Sequence, residues 1–239
     1  VFDDGSKIVK LFGLSFNVGN CVAGLVTAII VCAVLIWLSR NLQMKPTGKQ
    51  NILEWIVDFT NGIVKSAIPS AQGSNYGLLA FLLFVFIFVA NQLGLIIQFV
   101  IGDVTYIKSP TASPMTTLTL AFMVLVISHI AGVNRFGFKG YVKNTFLSPM
   151  PVLFPIKILE QFTNFITLAL RLYGNIYAGE VLLKLVFQMA QSHGILTFIP
   201  AMPLEMIWQG FSVFIGAIQA YVFVTLAMVY ISQKVEKEA

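Results

Sequence analysis

The stretch RLYGNIYAGE, residues 171–180, places Arg171 and Glu180 nine positions apart within a long apolar run. A guanidinium keeps its proton even when buried, so Arg171 is a fixed positive charge. A carboxyl group can take up and release a proton, so the charge of Glu180, unlike that of Arg171, is not fixed. At about 100° per residue, positions four, seven and eleven apart share one helix face. From Arg171 that face holds Glu160, Asn164, Thr167, Asn175 and Ala178. Nine positions make roughly 900°, which turns Glu180 to the opposite side with Tyr173, Tyr177 and Lys184. One helix would thus carry a permanent cation on one face and an exchangeable proton on the other. Glu180 with Lys184 at i,i+4 also has the spacing of a structural pair, and Lys184 that of a residue reaching for the interface. Arg171 has no acid three or four positions away. Its partner has to come from another helix or another chain, which marks it as a functional residue.

A second polar stripe runs through the last apolar segment: Glu205, Gln209, Ser212, Gly216, Gln219 and Phe223. Gly210, Gly216, Ala217 and Ala220 let another helix approach closely, as Gly174 and Ala178 do near Arg171. Packing accounts for the small residues but not for two glutamines, and Gln219 can donate to a partner or accept from Arg171. Asn91 and Gln92, in VANQLGL, are read as bonding to a neighbouring helix rather than hydrating a cavity. His129 and His193 lack metal-ligand spacing, and no GxxxxGK[ST] sequence occurs, so neither a metal, a cofactor nor a bound nucleotide is expected. Asp103 and Lys108 read as solvated loop charges.

The elements that would position these groups follow from composition. Of 239 residues, 57% are hydrophobic and 10% charged, with a mean hydropathy of +0.85. A soluble domain carries about 25% charged residues. Runs of this length without alternating polarity predict helices rather than barrel strands. The expected fold is an all-α membrane protein, a single integral membrane domain over 1–239. It has about five membrane-embedded helices, at roughly 18–39, 77–101, 115–134, 155–190 and 198–232. An amphipathic helix over 51–68 is added, its apolar face formed by Ile52, Trp55, Ile56, Phe59, Ile63 and Val64, lying at the interface. The last two helices would each be about 50 Å long against a ~30 Å hydrocarbon core, which predicts a strongly tilted, near-horizontal hairpin. Pro200 and Pro203 suit the start of the last one.

Arg40, Lys45, Lys49, Arg135, Lys139, Lys143, Lys234 and Lys237 fall on one side of five such helices, and Lys7, Lys10 and Lys108 on the other. The positive-inside rule then puts the N-terminus outside and the C-terminus in the cytoplasm. The net charge of +5 sits beside apolar runs and does not point to nucleic acid. Cys21 and Cys32 read as small core residues rather than a disulfide. The opening VFDDGSKIVKLFG begins with acids, so no cleavable leader is expected.

RLYGNIYAGE, with PMTTLTLAF (114–122), FGFKGYVK (136–143), FPIKILE (154–160) and IQAYVFVTLAMVYIS (218–232) in order, resembles subunit a of the bacterial F-type rotary ATP synthase. The resemblance covers most of the chain. It implies an ion-translocating stator with two offset half-channels, past which turns a c-ring of small hairpin subunits bearing one carboxylate each. It implies as partners that ring, peripheral-stalk b subunits, the rest of the complex and the lipid bilayer. Catalysis would lie on other subunits. Arg171 matches the family's essential arginine, Asn175 and Gln219 its polar neighbours, and Glu180 the acid of the outer half-channel. Glu160 lies in a matching block. Ser212 stands where some relatives have a histidine, and Gly94 where some have an acid, so His-linked titration is not expected. The coupling ion is taken as H⁺.

Two other readings compete. A secondary transporter could bind a carboxylate substrate through Arg171, but such proteins show paired halves with broken helices, and no internal repeat is found. A passive scaffold would explain the small-residue faces and leave Arg171 and Glu180 without a role.

Overall fold

The computed structural model describes residues 8–11, 14–40, 43–44, 48–96, 99–101, 104–107, 110–147, 151–191 and 195–236. Lys7, Lys45, Asp103, Lys108, His193 and Lys237, and the side chains of Lys10 and Lys184, lie outside what is described.

Six long helices dominate: α1 (Val18–Leu38), α2 (Lys49–Ala67), α3 (Gly77–Ile96), α4 (Pro114–Val142), α5 (Phe154–Gln191) and α6 (Ile195–Val235). The chain is an all-α membrane protein. Among the described residues, four helices are long and apolar enough to cross a membrane, over Gly19–Leu38, Gln72–Leu93, Pro114–Phe146 and Ala201–Val235. The fifth long helix, α5, carries Lys157, Glu160, Arg171, Glu180 and Lys184, which set it apart in composition. At ~1.5 Å per residue the 38 residues of α5 and the 41 of α6 run to about 57 and 62 Å, twice the hydrocarbon thickness.

Two antiparallel ribbons accompany the helices: β1 (Ile8–Leu11) with β2 (Leu14–Asn17), and β3 (Phe99–Ile101) with β4 (Val104–Ile107). Sequence patterning overran here. The second apolar run was carried to 101, but α3 ends at Ile96. Phe99–Ile101 pairs instead with β4, with Ile101 opposite Val104 and an irregularity at Phe99/Val100. β-branched residues on both sides of Gly102-Asp103 are a hairpin pattern that apolarity alone hides.

Contacts group the chain into two units. The first comprises Val1–Val34, Val85–Thr116 and Leu172–Ala220; the second comprises Leu35–Phe84, Thr117–Arg171 and Tyr221–Ala239. Within the first, Asn20 Nδ2 donates to Ser113 Oγ at 2.9 Å, tying α1 to the start of α4. Within the second, Phe59 of α2 packs on Phe84 and Tyr221, with ring centroids 5.5 and 5.8 Å apart. The apolar face of α2 divides along its length: Ile63 and Val64 are buried, while Ile52 and Trp55 are exposed. Cys21 and Cys32 are free and exposed, not core residues. A helix in lipid can turn apolar side chains outward at no cost, so apolarity on α1 does not mark a core.

The end of α4 shows how one glycine shapes the second unit. Gly137, at φ 70°, breaks the helix, a left-handed conformation that glycine adopts without strain. Past it, the Tyr141 hydroxyl hydrogen-bonds His129 Nδ1, and the chain continues in a wider π-type turn over Lys143–Leu147. Lys234, expected among flanking loop charges, is only 3% exposed. It sits in the last turn of α6 with its ammonium 5.9 Å from the Phe146 ring centre. Arg135 faces the side-chain amide of Gln72, whose oxygen can accept from the guanidinium when the amide is turned to satisfy both groups. Gly132 makes the junction possible, since a Cβ there would stand 2.7 Å from Tyr141 Cδ2 and 3.0 Å from the Lys234 carbonyl oxygen. Gly132→Ala should therefore destabilise the protein by about 1–3 kcal/mol, read as a lower melting temperature in detergent. Unchanged melting would show that the junction is looser than described.

Candidate functional site

The face pattern of α5 comes directly from its side chains. Leu168, Ala169, Leu172, Ile176, Gly179 and Leu183 form a buried stripe, and Glu180 lies on it at 4% exposure. On the other side Glu160, Thr167, Arg171, Asn175 and Ala178 are exposed, with Asn164 half-buried between them. The cation and the acid thus occupy different environments on one helix. The nearest acids along α5, nine and eleven positions from Arg171, are about 14 and 16 Å away at 1.5 Å per residue. That is too far for an ion pair. Tyr173 and Tyr177 stack with centroids 5.3 Å apart, covering the turn before Glu180.

Arg171 and Glu160 belong to the second unit; Asn175, Glu180, Ser212 and Gln219 belong to the first. Within the first, Asn175 Nδ2 donates to Gln219 Oε1 at 2.7 Å. This links α5, one turn after Arg171, to α6. Gln219 is 4% exposed, so its amide needs such a partner. A cleft of about 290 Å³ opens beside the pair, lined by Asn175, Ala178, Gly179 and Leu182 from α5 and Trp208, Phe211, Ser212, Ile215 and Gly216 from α6. Ser212 is 6% exposed, and its Oγ has no hydrogen-bond partner among the described residues. A hydroxyl in that position both donates and accepts, which suits it to water. A second depression of about 380 Å³ is lined by Met202, Glu205, Met206 and Gln209, on the polar stripe read from the sequence.

Trp208 is a residue that sequence reasoning missed. Its Nε1 donates to the Gly179 carbonyl at 3.4 Å, beside Glu180. The available signal was its spacing, four positions before Ser212, on the polar face of α6. Among the described residues no group of three His, Cys, Asp or Glu gathers as metal ligands would. The chemistry on offer is that of a fixed cation, an amide pair, a cleft with a buried hydroxyl on its wall and a buried carboxyl group. These parts suit moving and guarding protons rather than making covalent bonds.

A family model described as ATP synthase A chain matches residues 21–232. ATP synthase subunit a of Limosilactobacillus fermentum is 58% identical over 229 residues, covering 96% of this chain and 97% of the relative. The proteins of the same name from Pediococcus pentosaceus, at 56%, and Enterococcus hirae, at 53%, cover 96% and 94% of this chain and 96% and 98% of their own lengths.

The amide bond between α5 and α6 can be weighed directly. A double-mutant cycle of Asn175→Leu and Gln219→Leu, followed by unfolding in detergent, should give a coupling of about 0.6 kcal/mol, and no more than ~1.7. Strictly additive effects would mean that the two amides do not interact.

Proposed function

Because the chain belongs to the ATP synthase A chain family, we propose that it is the ion-translocating stator of that enzyme's membrane sector, offering two offset half-channels to the carboxylates of a rotating c-ring. The chain is a multi-pass membrane subunit of ATP synthase. The proposal concerns how it works, what it touches and which way it faces.

The observation that carries it is the exposed stripe on α5, with Arg171 unpaired along its own helix. A cation on an apolar surface calls for an anion from another chain, and a ring carboxylate has the right chemistry. When a protonated carboxyl group reaches the exit half-channel, its O–H bond breaks and the proton leaves through water. The carboxylate then passes Arg171, whose charge favours the ionised form over reprotonation. On the far side it takes a proton from the access half-channel. Since Arg171 cannot release a proton, no proton crosses from one half-channel to the other without the ring turning.

In this reading Glu180 relays protons in the outer half-channel, and the Ser212-lined cleft supplies its water. Asn175 and Gln219 hold the helix pair beside the arginine, and Glu160 extends the rotor-facing stripe. Nucleotide chemistry belongs to other subunits, and peripheral-stalk b subunits hold the stator still. The N-terminus faces outward and the C-terminus the cytoplasm of a bacterial plasma membrane.

The test is ATP-driven acidification of liposomes containing the assembled enzyme with Arg171→Lys. The ammonium keeps a charge but lacks the guanidinium's planar fork and its refusal to deprotonate. Acidification should fall by at least about 100-fold, equivalent to ~2.7 kcal/mol of lost coupling. Near wild-type pumping by the lysine variant would sink the proposed mechanism.

A further inference from the structure

Asn91 and Gln92 are adjacent on α3 and lie outside the stripe and cleft described above. Asn91 is 0% exposed. Its Nδ2 donates to the Gly216 carbonyl of α6 at 3.0 Å, and its Oδ1 accepts from Thr111 Oγ1 at 2.9 Å. Gln92 Nε2 donates to the Val213 carbonyl of the same helix at 3.1 Å. All five residues belong to the first unit, with Asn175 and Gln219.

We propose that Asn91 and Gln92 form a two-point amide clamp on the backbone of α6 that sets its rotation and register, and so presents Gln219 to Asn175 and Ser212 to the cleft. A helix carbonyl already accepts one backbone N–H but has a second lone pair. Two donors to carbonyls three residues apart hold the helix at points about 4.5 Å apart along its axis. One bond alone would leave α6 free to pivot; two resist pivoting and sliding together. Gly216 has no side chain to stand between its carbonyl and the short arm of Asn91. Thr111 in turn fixes which way the Asn91 amide faces, because its hydroxyl donates to Oδ1 and leaves Nδ2 for α6.

The consequence for the amide pair is geometric. A slip of α6 by one residue moves Gln219 by about 1.5 Å and turns it by about 100°, enough to lose a 2.7 Å bond to Asn175. Apolar contacts between smooth helix faces do not forbid such a slip, whereas directional bonds to the backbone do. Asn91 and Gln92 are therefore positioning residues. The geometric part of this inference stands alone; its effect on pumping rests on the function proposed above.

The experiment uses the complete enzyme with Cys21 and Cys32 replaced by alanine and nitroxide labels at Val181 and Phe214, both exposed and outside the amide pair. The distance between labels is measured with Asn91 and Gln92 intact, then in Asn91→Leu and in Gln92→Met, which keep side-chain bulk but lose the donor. The clamp predicts that each variant shifts or broadens the distance by about 5 Å or more, given a helix ~10–12 Å across. It also predicts that acidification falls about five-fold or more. Gln92→Glu keeps the result interpretable if those variants assemble poorly. Its neutral carboxyl group can donate to Val213, whereas its carboxylate repels that carbonyl, so the distance should be native at low pH and shift as pH rises. An unchanged distance in Asn91→Leu and Gln92→Met, or a shifted distance in Gln92→Glu at low pH, overturns the clamp. A shifted distance with undiminished pumping overturns its functional role while leaving the arginine mechanism to its own test.

Discussion

A guanidinium cannot be neutralised, and the middle of a membrane helix is an expensive place for one. The cost of an arginine at a helix centre is about 2.5–3.5 kcal/mol on insertion scales, a large share of a net stability of about 5–15 kcal/mol. On α5 that charge stands on the exposed face, about 14 Å or more along the helix from either neighbouring acid. Much around it reads as accommodation to this one group. Small residues at Gly174 and Ala178 keep its surroundings low, and Asn175 follows one turn on. Glu180 is turned to the buried side. Under the function proposed above, a charge that is costly to the chain alone would become favourable when a rotor carboxylate passes it.

The remaining polar groups show the same economy by a quieter route. Thr27, Ser128, Thr163 and Thr225 return their hydroxyls to carbonyls of their own helices at 2.7–2.9 Å, so they cost little in an apolar setting. Other side chains reach between helices, and they sit where alignment matters. Asn175 meets Gln219, Asn91 and Gln92 hold Gly216 and Val213, and Trp208 reaches Gly179. Two of them join α5 to α6, and two join α3 to α6, at turns that carry candidate functional side chains. In the second unit, Gly137 and Gly132 serve a comparable end by letting Tyr141 and Lys234 close onto α4.

Much of this was readable from residue spacing because helical periodicity is a local property. The stripe through Glu160, Asn164, Thr167, Arg171 and Asn175 follows from 100° per residue, and all but the half-buried Asn164 are exposed. Asn91 and Gln92 were read as bonding to a neighbouring helix, and they do so; which helix, and that the acceptors are backbone carbonyls, depends on tertiary packing that no periodicity encodes. Apolarity misled where lipid and core look alike: it carried α3 past Ile96 into a strand and placed Cys21 and Cys32 inside. Lys234 was counted among flanking charges, yet its aliphatic stem allows it to be buried in the last turn of α6. Trp208 escaped notice because an indole in an apolar segment looks like bulk until its N–H is seen to reach Gly179.

The central claim is that the fixed charge of Arg171 keeps two proton paths apart. It is tested most directly by passive proton flux, with no ATP present, through vesicles holding the membrane sector stripped of its soluble catalytic part and carrying Arg171→Ala. The account predicts that the alanine variant, assembled with its ring, leaks protons under an imposed pH gradient even when the ring is cross-linked and cannot turn. A variant as tight as the wild type with the ring locked would contradict it, because the barrier between the half-channels would then lie somewhere other than Arg171.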